Sequence, residues 1–119
     1  MPADDVLDPV VIAGLRRAQD AFGNPEFIRQ LAGLFQARTP LKMDRIRQAI
    51  ADADAVAVRE AAHALKSNCG MLGAARMADA CARMEEAAAR ADLDAAAAAF
   101  REAEEQMPVV LTALADLTA

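Results

Sequence analysis

The chain has no tryptophan, no tyrosine, four phenylalanines and a single histidine among its 119 residues. A core without large aromatics must be built from aliphatic side chains, alanine and the six methionines, which serve as gap-fillers. Strand signals are absent too. No segment alternates Val, Ile, Thr or Tyr with polar residues, and there is no Asn-Gly or Asp-Gly hairpin turn. No apolar run approaches the ~20 residues that span a bilayer. Basic blocks with interleaved aromatics are missing and the formal net charge is −5, so nucleic-acid binding is not expected. The opening Met1-Pro2-Ala3-Asp4-Asp5 lacks the basic and apolar regions of a signal peptide, which points to the cytoplasm. Cys69 and Cys81 are then expected as reduced thiols. With one His they make no zinc spacing, and Gly70-x-x-Gly73 alone is no nucleotide loop.

What remains is a chain that is 55% apolar and rich in alanine, enough for one core, and residues 1–119 are read as one all-α domain. After a short lead over residues 1–7, Asp8-Pro9 starts a short first helix to about Ala21, closed by Gly23. Asn24-Pro25 repeats that signal for a second helix to about Ala51, which Pro40 should bend, or split near Thr39. A third helix is predicted from about Asp54 to Leu72, stopped by Gly73, and a fourth from about Ala75 to Ala91. A last helix after Asp92 carries a kink at Pro108. Short connections between them predict an antiparallel four-helix bundle with the additional short N-terminal helix laid across one end.

The third helix carries the informative residues. At ~100° per residue, Val58, Leu65, Cys69 and Leu72 cluster on the side opposite His63. That stripe faces the core, so His63 faces solvent. Arg59, Ser67 and Gly70 lie within roughly 40° of the His63 direction, Val56 about 20° away and Lys66 roughly 60° away. The small residues leave room around the imidazole and the cations flank it. This argument excludes a core histidine, but it does not separate a functional surface histidine from an idle one.

The stretch Ala62-His63-Ala64-Leu65-Lys66-Ser67, followed by Gly73-Ala74 and then Met77, Cys81, Met84 and Glu85, resembles the signature of the histidine-containing phosphotransfer (HPt) family. The resemblance extends to Leu7-Asp8-Pro9, to Phe27 through Phe35 and to Asp52 through Ala62, and so covers nearly the whole chain. Ser67 stands where Gly is common in the family, and Pro108 is less usual there. The resemblance implies a phosphorelay carrier and no enzyme with its own ATP site. His63 would accept a phosphoryl group from an aspartyl phosphate on a receiver domain, at Nε2, and pass it to an Asp of another receiver. Lys66 would offset phosphoryl charge, with Arg59 assisting and Ser67 offering a hydroxyl. Gly70 would leave space for a partner loop, and Val56 would be either an apolar docking residue or a packing residue against the first helix. Ile12, Phe22 and Ile28 are read as core first and docking residues second. No cofactor or metal of its own is implied, since the receiver would bring Mg²⁺. Partners would be response-regulator receivers and a hybrid histidine kinase, with the chain itself a monomer.

Three other readings compete. A pseudo-HPt adaptor would bind a receiver or kinase without being phosphorylated, but it would have no need of both His63 and Lys66. A metal-binding or catalytic bundle would need clustered carboxylates and paired Glu-x-x-His motifs, which are absent. A dimerising kinase phosphoacceptor domain would carry an acidic residue after the histidine, where this chain has Ala64. Arg83, Glu85, Glu86 and Arg90 read as a solvated helix face.

Overall fold

A computed structural model describes residues 6–119; the lead over residues 1–5 lies outside them. Five helices follow among the described residues: α1 (Pro9–Phe22), α2 (Phe27–Ala51), α3 (Ala55–Met71), α4 (Ala75–Ala89) and α5 (Leu93–Leu117). Helices α2 to α5 form the bundle. Each packs on the next and α5 returns to α2, while α1 lies against α2. The core is aliphatic, with Ile46, Val58, Leu65, Leu72, Met77, Met84 and Leu114 almost fully buried. Each large aliphatic side chain removed from water in this way contributes about 1.5–3 kcal/mol.

Side chains that satisfy the first free N–H groups set most of the helix starts. The Asp8 carboxylate accepts from the Val10 N–H at 2.9 Å, Asp54 from Ala57 at 3.1 Å and Asp92 from Ala95 at 3.0 Å. Helix α2 differs. It begins at Phe27, two residues after the expected Pro25, because Asn24 spends its side chain on the Glu26 N–H in a preceding turn. The cap comes instead from α1, where the Gln19 side-chain oxygen accepts from the Ile28 N–H at 3.0 Å.

Neither internal proline divides its helix. Helix α2 runs through Pro40 and α5 through Pro108. Both prolines lie on exposed faces, as do Gln36 and Glu104, so water can reach the carbonyls that lose a backbone donor. The turn from α3 to α4 ties down the short helix. Gly73 has φ +75°, and its carbonyl accepts from the Asp8 N–H at 2.8 Å. A Cβ on Gly73 would lie 3.0 Å from the Asp8 nitrogen, so any side chain there would be strained and would press the Asp8 backbone away.

Candidate functional site

Helices α3 and α4 build the site along their shared seam. On α3, Ala62 and Leu65 are fully buried, and His63, one step round from Ala62, stands at the rim with its side chain 65% exposed. On α4, Met84 is fully buried and Glu85 sits one step past it, at the matching rim, with its side chain 21% exposed. The two rims bring His63 and Glu85 together, with His63 Nδ1 2.7 Å from Glu85 Oε2. The other carboxylate oxygen, Oε1, accepts from the Lys66 ammonium at 3.1 Å. One carboxylate therefore bridges the imidazole and the lysine.

The electrostatics follow from that bridge. The Lys66 ammonium, and after it the His63 hydrogen bond, hold the Glu85 carboxyl below its ordinary range against an opposing effect of desolvation. An ionised carboxylate has no proton to give, so Nδ1 must carry the N–H and donate it. In the neutral ring this leaves the lone pair on Nε2, at the outer end of the imidazole.

The other residues singled out in the sequence divide. Arg59 and Val56 line an open depression beside His63 together with Glu60 and Glu85. Val56 is 67% exposed, which removes the alternative of packing against α1. Gly70 is exposed, and a Cβ there would meet nothing within 4 Å. Ser67 is exposed, but its hydroxyl donates to the His63 carbonyl at 3.2 Å, which returns the group to its own helix backbone. Of the secondary docking candidates, Ile12 and Ile28 are buried in the core, whereas Phe22 is exposed and meets Phe27 edge-on at 5.3 Å.

Glu85 is the residue that reading along the helices placed wrongly, as part of a solvated face. A signal for it existed: it follows Met84 directly and so stands at the edge of the buried stripe of α4. Arg83 does belong to an exposed ionic face, paired with Asp79 at 3.1 Å and with Glu102. Cys69 and Cys81 are buried free thiols, and the neighbouring Cys81 thiol together with burial pushes the Cys69 thiol up. Among the described residues no group of three His, Cys, Asp or Glu side chains could hold a metal ion. Among them, too, no helix is long and apolar enough to cross a membrane.

The sequence profile of the family described as Hpt domain matches residues 30–118, three quarters of the chain and every residue of the seam. The chain belongs to the Hpt domain family. Its fold is similar to the crystal structure of histidine-containing phosphotransfer protein B (HptB) from Pseudomonas aeruginosa PAO1, with a TM-score of 0.83 and 26% sequence identity. That likeness covers 93% of this chain and 92% of the other. No curated protein sequence matches the chain. As an Hpt domain the chain is of the phosphorelay carrier type, and the partners of this family are in general receiver domains and histidine kinases.

Proposed function

We propose that His63 is the phosphoacceptor of this Hpt domain. Its Nε2 attacks the phosphorus of an aspartyl phosphate on a receiver domain. The N–P bond forms as the P–O bond to the aspartyl carboxyl breaks, and the aspartate leaves as a carboxylate. Return to another receiver reverses these steps. Phosphoryl transfer depends on positioning and electrostatic stabilisation more than on covalent machinery, so a carrier can act with one oriented nucleophile. Glu85 supports that orientation by holding the Nδ1 proton and leaving Nε2 free. The observation that carries the reading is this 2.7 Å bond on a histidine that is otherwise open to solvent.

The chain needs no cofactor of its own in this reading, since the receiver brings Mg²⁺ and completes the reaction. The domain acts as a cytoplasmic monomer. Docking uses the exposed surface around His63, with Val56, Arg59 and Gly70 on α3. It extends to the groove between α2 and α3, whose wall holds Leu34, Arg38, Lys42 and Met71. No acidic residue occurs between Phe27 and Met43 of α2, or between Ala61 and Ala78, so this side of an acidic chain favours the acidic phosphorylation site of a receiver.

Incubation with a receiver carrying labelled aspartyl phosphate tests the reading. Acid-labile, base-stable label should appear on the wild type and be lost in His63→Gln. Label that persists in His63→Gln removes His63 from the role. Binding of the receiver without any label in the wild type establishes the pseudo-HPt adaptor instead.

A further inference from the structure

We infer that Arg59, rather than Lys66, is the cation that meets the phosphoryl oxygens on His63, and that Lys66 acts as a positioning residue through Glu85. The inference rests on His63 as the phosphoacceptor.

The charges around the ring are already divided. Lys66 Nζ lies 3.1 Å from Glu85 Oε1, on the carboxylate that holds Nδ1, the end of the ring that does not react. Lys66 and Glu85 therefore cancel one another. An arriving phosphoryl group brings up to two negative charges to the Nε2 end. The open depression beside His63 is walled by Val56, Arg59, Glu60 and Glu85, and Lys66 is not part of that wall. Arg59 is its one cation, set against two carboxylates.

Arg59 is also free to act. Arg29, Arg47 and Arg83 are each held by carboxylates, whereas Arg59 is exposed and has no ion pair among the described residues. It stands one helical turn before His63 on the same face, where residues four apart have Cβ atoms about 5–6 Å apart. A guanidinium presents a planar fork of donors that can bind two phosphoryl oxygens at once. Without Arg59 no cationic side chain would line the depression beside the imidazole.

The two cations can be separated with the full chain phosphorylated on His63 by phosphoramidate, a small donor that needs no receiver surface. Titration of the phosphohistidine by ³¹P NMR should place the second phosphoryl ionisation higher in Arg59→Ala than in wild type, by about half a pH unit or more. In a Glu85→Gln background, Lys66→Met should not slow transfer from a charged receiver any further, while Arg59→Ala should still slow it by roughly tenfold at saturating receiver. The assignment is overturned if Lys66→Met moves the ³¹P midpoint and Arg59→Ala does not. It is equally overturned if the Arg59→Ala defect disappears at high receiver concentration, which would make Arg59 a docking residue only. A wild type that takes no label on His63 sinks the phosphoacceptor reading, and this assignment with it.

Discussion

Glu85 holds the Nδ1 edge of His63 at 2.7 Å from 22 residues away in the chain, and with its second oxygen it holds Lys66. The bond selects the tautomer in which Nε2 bears the lone pair. Replacing Glu85 with Ala should leave the fold intact, because the site lies at the rim of the core. Loss of a charge-assisted bond of about 1.5 kcal/mol should slow phosphoryl transfer roughly tenfold. Single-turnover transfer from a charged receiver measures the rate. Nitrogen chemical shifts of the His63 ring measure the tautomer, which should become mixed.

The same bridge makes a pH prediction. The Glu85 carboxyl is lowered in the folded protein, chiefly by Lys66. A depressed carboxyl contributes stability above its unfolded value, and that contribution is lost as pH falls through the folded value. The carboxyl resonance of Glu85 should therefore titrate below the ordinary ~4.3 of glutamate. Lys66→Met should move the midpoint back up. An unchanged midpoint in that variant contradicts the bridge.

Gly70 separates fold from docking. Its position is helical, exposed and open to a Cβ, so nothing inside the chain requires glycine there. Gly70→Ala should raise stability by about 0.5 kcal/mol, less than the full interior helix propensity because Gly70 lies in the last turn. Gly70→Trp should leave the melting transition near that of the wild type but weaken receiver binding by tenfold or more. Calorimetric titration with a receiver domain checks the second half.

Gly73 behaves in the opposite way. Its positive φ and its approach to the Asp8 backbone strain any side chain placed there. Gly73→Ala should destabilise the domain by about 2–3 kcal/mol, as the αL cost adds to the displacement of Asp8. Urea unfolding, with hydrogen exchange on α1, should show that helix loosened first.

Ala53 and Ala91 hold φ values of 54° and 56° in the tight turns before α3 and α5, where glycine is the relaxed choice. Ala53→Gly and Ala91→Gly should each stabilise the domain by about 0.5–1 kcal/mol, the strain relieved less the added entropy of the unfolded chain. Denaturant midpoints should rise in both variants, and the two gains should add, because the turns share no residues.

Spacing along the chain was enough for the number and class of the helices, for the Asp8 cap and for the face on which His63 stands, while the structure selected Asp54 and Asp92 as the caps of their turns. These depend on local periodicity and on side chains within a turn of the backbone groups they satisfy. The sequence also carried the family signature, which the profile match confirms. Only the tertiary structure decided the partner of His63, because a solvated face and a seam face look alike along one helix until its neighbour is placed. The same holds for the Gln19 cap on α2, for the exposed Val56 and for the buried Ile12 and Ile28. Each depends on which residues of distant segments come to lie side by side, and that is fixed by packing rather than by spacing.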